Sequence, residues 1–310
     1  MTQTDWNVVC PVTFRHAGNP GRIASSLQDH PEWQPRINVV MQDLAAPYPD
    51  LADKIGTCDY VIALASLSSV SASIDEPVPF VRNNVDLALF TLEYARRVKP
   101  SSVIIFSTDE VYGPMVDDEP HAEWSSVLPS NPYAASKAAQ EAIAVSYWRT
   151  YGVPVTIVNS MNLIGEMQDP VKFLPVLIKG ISRGDTVPIY GTPADIGSRY
   201  FIHARNVADA LIHILDLPPA MFPSSLRPSR YNVVGEVRLS NLELAEMTAD
   251  IVGRPLRYEL IDFHSARPGH DPHYGLDGTH LASAGWKPPM NFAESLASTV
   301  RWTLAHPEWM

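Results

Sequence analysis

The run Ser102-Val103-Ile104-Ile105-Phe106 is apolar and β-branched, and it passes directly into Ser107-Thr108-Asp109-Glu110-Val111-Tyr112-Gly113. A short continuous run of this kind reads as a strand covered on both faces, as in parallel sheets. Comparable runs recur at residues 6–12, 37–41, 60–65 and 153–158. Stretches with helical character lie between them at 22–28, 83–98 and 134–151; the second carries Val85, Leu89, Leu92 and Ala95 along one stripe. Strands alternating with helices predict an α/β fold, a doubly wound parallel sheet. From Asp169 onward prolines and loops multiply, as at Pro218-Pro219, Pro223 and Pro228, which predicts a smaller lobe built on insertions.

Open α/β sheets bind their ligands beyond the carboxyl ends of the strands. The 102–106 strand ends there on a hydroxyl, Thr108, and two adjacent carboxylates, Asp109 and Glu110. Tyr133 and Lys137, four residues apart in Tyr133-Ala134-Ala135-Ser136-Lys137, share one face of the helix that Pro132 introduces. Taken alone, such a pair reads equally well as two exposed helical side chains. An ammonium near a phenol favours the phenolate, which lets a tyrosine serve as a general base near neutral pH. An acid, a base and an activated tyrosine are the parts needed to oxidise a sugar and eliminate water from it.

A formal charge of −11 argues against nucleic acid as a partner, though an anionic nucleotide needs only a local basic pocket. No apolar run is long enough for a membrane helix, and residues 1–6 lack the basic end and apolar core of a secretion signal. Cys10 and Cys58 have no metal-type spacing and suit a reducing compartment, so a cytoplasmic location is expected.

Taken together, Thr108-Asp109-Glu110 and Tyr133-xxx-Lys137 resemble the extended short-chain dehydrogenase/reductases, and within them the dTDP-glucose 4,6-dehydratases of the NAD-dependent epimerase/dehydratase family. The likeness runs from about Thr13 to the C-terminus: the stretch 61–70 looks like the family's LAAxSHV segment, 169–175 like its sugar and diphosphate segment, and 267–271 like its RPGHD run. The resemblance implies a Rossmann-like dinucleotide-binding domain over 1–168 and a substrate lobe over 169–310, with segments returning to the first domain. It implies catalysis by Thr108, Asp109, Glu110, Tyr133 and Lys137, with NAD as cofactor. NAD would lie against Asp43 and Leu44 at its adenine end, then Leu64, Ala65 and Ser66, with Tyr133 and Lys137 beside it. A nucleoside-diphosphate sugar would meet Ser68, Asn162, Lys172, Phe173, Pro188, Tyr190, Arg199, Asn232, Arg267, His270 and Tyr274. It also implies a homodimer formed by helices 83–98 and 134–151, with Leu89, Leu92, Ala142, Val145 and Trp148 as its apolar contacts.

Residues 1–310 contain no G-x-x-G-x-x-G. The stretch 13–19 instead resembles the family's LTYAGN segment after the second strand, so the chain reads as beginning one strand-helix unit late. Pro11 and Val12 stand where the family has the acid that binds the adenosine ribose; Leu163, Asn83 and Tyr200 are further departures. The first strand is central in the 3-2-1-4-5-6 order, so a gap is expected in the sheet. Residues 7–12 are expected to enter it or to pair with a neighbouring strand, and weak retention of NAD is expected. Two rival readings accompany the dehydratase: a cofactor-free or non-catalytic protein that binds a nucleotide sugar or a partner, and a sugar epimerase. Asp109-Glu110 disfavours the epimerase, since epimerases of this superfamily usually carry small or neutral residues there.

Overall fold

Parallel pairing runs through the amino-terminal half, as its apolar runs predict. The computed structural model describes residues 2–46, 51–262 and 269–310; Arg267, an expected sugar contact, lies outside them. In chain order come β1 (Val8–Val12), α1 (Gly21–Asp29), β2 (Ile37–Met41), α2 (Leu51–Ile55), β3 (Tyr60–Ala63), α3 (Val70–Asp75) and α4 (Pro77–Val98). They are followed by β4 (Ser102–Thr108), α5 (Pro132–Tyr151) and β5 (Val155–Ser160). The second half holds β6 (Asn162–Ile164), α6 (Phe173–Arg183), β7 (Val187–Thr192), β8 (Asp195–Ile196), β9 (Ser198–His203) and α7 (Ala204–Asp216). Last come β10 (Ser229–Val233), β11 (Arg238–Ser240), α8 (Asn241–Val252), β12 (Tyr258–Ile261), α9 (Thr279–Ser283) and α10 (Phe292–Ala305).

The main sheet has the order β10-β5-β4-β3, every pair parallel, with Val103 opposite Val155 and Tyr60 opposite Ser102. β4 extends two residues past the apolar run, because Ser107 and Thr108 still pair with Asn159 and Ser160 on β5. That extension places Thr108 at the sheet's carboxyl edge. β1 and β2 form a separate parallel pair, Val8 opposite Ile37, and no described strand joins β1 to β3. The expected break in the sheet is therefore present, and residues 8–12 pair with β2 rather than entering it. Burial records the consequence. No residue of β1, β2 or β3 is buried, whereas all of β5 and six residues of β4 are. Val9, Val39, Met41 and Ile62 stay 37–58% exposed on strands of a type normally covered on both faces. Trp6 bridges to the core on this side, its ring 5.1 Å from that of Tyr60.

Helix α4 packs along α5 and against β3, and α5 packs against β4 and β5. α4 begins at Pro77, six residues before the helical spacing predicts, because proline suits a first helical position and Phe80 is already buried. Leu92 and Trp148 are fully enclosed with Ala95, Ala144, Val103, Ile105, Val155 and Ile157. This corrects their expected place on a dimer face: the stripe that carries them meets the sheet, leaving Leu89 and Val145 partly exposed and Ala142 exposed. A second core gathers α6, α8 and α10 through Leu177, Ile178, Ile181, Leu244, Leu296 and Val300. Among the described residues no helix is long and apolar enough to cross a membrane.

Candidate active site

The end of β4 turns into a 3-10 helix, Asp109–Tyr112, with Thr108 as its cap: the Glu110 amide donates to Thr108 Oγ1 at 3.4 Å. Gly113 ends this turn at φ 78, and a β-carbon built on it would lie 2.5 Å from the Leu128 carbonyl oxygen. Opposite, Asn131 caps α5 by accepting from the Ala134 amide at 2.9 Å, with Pro132 in the first turn. These two local structures bring Thr108, Asp109, Glu110, Tyr133 and Lys137 to one place. All but Glu110 are buried, and Glu110 is partly so.

The carboxyl groups differ in their partners. Thr108 Oγ1 donates to Asp109 Oδ1 at 2.9 Å, while Asp109 Oδ2 is buried with no hydrogen-bond partner. Glu110 Oε2 accepts from Asn131 Nδ2 at 3.1 Å and from the Tyr274 hydroxyl at 3.4 Å. Burial pushes Asp109 up to about 6, and burial with the adjoining Asp109 charge pushes Glu110 up to about 7. The pair therefore exchanges protons near neutrality. Glu110 is raised further than Asp109 although two donors hold its carboxylate, because the Asp109 charge adds to its burial. Arg199 lowers both through its charge, and its guanidinium lies over the Tyr274 ring at 4.7 Å.

The tyrosine-lysine pair departs from its expected electrostatics. Tyr133 is held above the ordinary phenol value by burial and by the Glu110 and Asp109 charges, which together outweigh a hydrogen bond to Thr108. Lys137 donates to the Phe106 carbonyl oxygen at 2.6 Å, and burial lowers it to about 8. In the protein alone, desolvation thus wins over ammonium attraction. Protonating a neighbouring carboxylate relieves one of the charges that hold the phenol up.

The expected cofactor contacts line the rim of the sheet. Leu64 is 57% exposed just past β3, followed by Ala65 and Ser66. Asn84 shapes this loop: its Oδ1 accepts from the Leu67 amide at 2.8 Å, and its Nδ2 donates to the Leu67 carbonyl and to Ser136 Oγ. Asp43, next to Leu44, accepts from Arg15 at 2.5 Å. Among the expected sugar contacts, Lys172 reaches the carbonyl of exposed Ser68 at 3.5 Å, and His270 faces Ser71 Oγ at the same distance. Asn162 is exposed on β6, and Phe173 packs on the second core. Pro188 and Tyr190 lie half-buried on β7, which pairs with β12 and not with the main sheet. Arg199 donates to the carbonyls of Ser198 and Asp271 at 2.8 Å and to that of Pro272, so chain oxygens occupy it. Asn232 is fully buried, donating to the His121 and Asp277 carbonyls at 3.0 Å, and it holds loops in place.

Sequence reasoning does not reach Asn131 or Asn84. For Asn131 a signal exists, an asparagine immediately before a proline at a helix start, but it marks a cap and says nothing of Glu110.

The profile of the NAD dependent epimerase/dehydratase family matches residues 2–233. The chain belongs to that family. A relative within this epimerase/dehydratase family, a probable dTDP-glucose 4,6-dehydratase of Sinorhizobium fredii, is 35% identical over 267 residues, covering 81% of this chain and 73% of its own length. The dTDP-glucose 4,6-dehydratase of Haemophilus influenzae is 33% identical over 266 residues, covering 79% and 76%. Among solved structures, a double mutant of the dTDP-glucose 4,6-dehydratase DesIV of Streptomyces venezuelae, with NAD bound, superposes with a TM-score of 0.81 at 30% identity; the match covers 97% of this chain and 88% of that one. Buried Ser107 Oγ and Asp109 Oδ2 are without partners at the end of β4, where an open α/β sheet receives its ligand, so the residues here leave polar atoms for a bound group such as the family's cofactor.

Proposed function

We propose that this protein is a nucleotide-sugar 4,6-dehydratase acting on a hexose linked to a nucleoside diphosphate. The observation that carries this reading is the Asp109–Glu110 pair at the end of β4 beside Tyr133, with one unpartnered buried carboxyl oxygen and one carboxylate held by two donors. Asp43, Leu44, Leu64, Ala65 and Ser66, with Tyr133 and Lys137, would hold NAD, which when bound would supply a reversible hydride acceptor, so the cycle would be redox-neutral. Tyr133, assisted by Thr108 and Lys137, takes the proton of the sugar 4-hydroxyl. The resulting 4-ketone acidifies the neighbouring C5–H. Glu110 removes that proton while Asp109 protonates the departing 6-hydroxyl, which leaves as water, and Glu110 then returns its proton to C5 as C6 is reduced.

The test supplies excess NAD with dTDP-glucose or UDP-glucose and follows a 4-keto-6-deoxy product by NMR. Glu110→Gln and Asp109→Asn should bind the nucleotide sugar nearly as tightly as the parent and lose about 10²–10⁴-fold in product formation. Tyr133→Phe should stop the reaction before any nicotinamide is reduced. An epimer formed without loss of water would overturn the assignment in favour of an epimerase. Sugar binding with no turnover by the parent would overturn it in favour of a binding protein.

A further inference from the structure

Behind the site lies an ion pair with no part in these steps. Glu141 on α5 and Arg230 on β10 have side chains only 4% exposed, and Arg230 Nη2 donates to Glu141 Oε2 at 2.6 Å. The other carboxylate oxygen, Oε1, accepts from Asn159 Nδ2 at 2.8 Å. The same Asn159 nitrogen donates to the Thr108 carbonyl at 3.0 Å. Arg230 also donates to the Tyr112 hydroxyl at 3.0 Å and the Glu123 carbonyl at 2.9 Å, and lies 4.3 Å from the Trp124 ring centre. One cluster thus ties α5 to the end of β4, to the turn bearing Asp109 and Glu110, and to β5 and β10.

Buried ion pairs contribute little net stability and can often be replaced by apolar side chains. Glu141, however, stands four residues beyond Lys137, on the same helical face. We infer that Glu141 is a positioning residue for the catalytic pair: its charge keeps the buried Lys137 protonated, and through Asn159 it fixes Thr108 against α5. Its effect on catalysis rests on the dehydratase reading. Burial lowers Lys137, and Glu141 is the charge that raises it. The ionisable groups around Lys137 are Tyr133 and Glu141 on its own helix, Asp109 and Glu110 on the turn after β4, and Arg230 from β10 behind Glu141. α4 contributes Asn84 and β5 contributes Asn159, both neutral.

Two variants and two readouts test this. Glu141→Gln preserves shape and removes the charge. Glu141→Gln/Arg230→Met removes both charges together, avoiding the unpaired cation that could unfold the single variant. In Glu141→Gln the alkaline limb of kcat/KM should move down by about one pH unit, equivalent to about tenfold less protonated Lys137 on that limb; in the double variant it should move the same way but less, because the Arg230 cation that opposes Glu141 is lost with it. Sugar binding should change by less than about twofold, and Glu141→Asp should restore much of the parent profile. A pair with a purely structural role predicts the parent profile in every folded variant, Glu141→Gln included, and that result would overturn the inference. NMR titration of ¹³C-labelled lysine reads Lys137 directly, with or without turnover. An unshifted Lys137 in every folded variant, Glu141→Gln included, sinks the inference even if the parent is an active dehydratase; a lowered Lys137 in an inactive chain upholds the electrostatic role and sinks only the functional reading.

Discussion

Asn131 Nδ2 lies 3.1 Å from Glu110 Oε2 while the Oδ1 of the same side chain caps the helix that carries Tyr133. One residue therefore sets both the ionisation of a carboxylate and the start of α5. Asn131→Ala should cost about 1 kcal/mol through the lost cap. It also removes a hydrogen bond that lowers Glu110, so Glu110 titrates higher. Because Glu110 must be ionised to act as the base, the acid limb of kcat/KM should move to higher pH. A thermal melt and a pH-rate profile together measure the two effects.

The raised carboxyl groups make stability fall with pH. Folded Asp109 and Glu110 titrate at about 6 and about 7, above ordinary carboxyl values, so the folded state holds protons that the unfolded state has released. Their destabilising contribution is absent below about pH 4, grows as pH rises, and is complete above about pH 7. Glu110→Gln should flatten the decline and raise Tm at pH 8, while leaving stability at pH 4 nearly unchanged. Denaturant titrations at the two pH values check this.

Gly113 fixes the turn that presents the carboxylates. Its backbone, at φ 78 and ψ −164, lies in a region essentially reserved for glycine, and an added β-carbon meets the Leu128 carbonyl. Gly113→Ala should cost about 1–3 kcal/mol. Displacing Asp109 and Glu110 should lower kcat more than sugar affinity, which steady-state kinetics and binding titration separate.

The broken sheet should be uneven in stability. β1, β2 and β3 lack buried residues, while β4 and β5 are enclosed. Amides of residues 8–12 and 37–41 should exchange at least about 100-fold faster than those of 103–107 and 155–159. Equal protection in a hydrogen-exchange experiment would contradict the exposure of these strands.

The surface of α4 and α5 that remains after Leu92 and Trp148 enter the core carries Leu89, Ala142 and Val145. A homodimer through this face should give a dimeric mass by light scattering at micromolar concentration. Val145→Asp should shift it to monomer without unfolding the chain, since Val145 is only partly buried.

The sequence by itself determines what depends on neighbours within one segment. The apolar run 102–106 specifies β4, the turn residues after it place Asp109 and Glu110 at its end, and a spacing of four puts Tyr133 and Lys137 on one helical face. Only the tertiary structure decides that Leu92 and Trp148 face the sheet, that Asn232 is enclosed, that Lys137 turns its ammonium to the Phe106 carbonyl, and that Asn131 reaches Glu110. It also joins Arg230 to Glu141, 89 residues apart. Helical period and strand chirality are properties of local backbone, so they can be read along the chain. Desolvation and hydrogen bonding sum over every segment that folding brings near, and those sums set the ionisation of Asp109, Glu110, Tyr133 and Lys137.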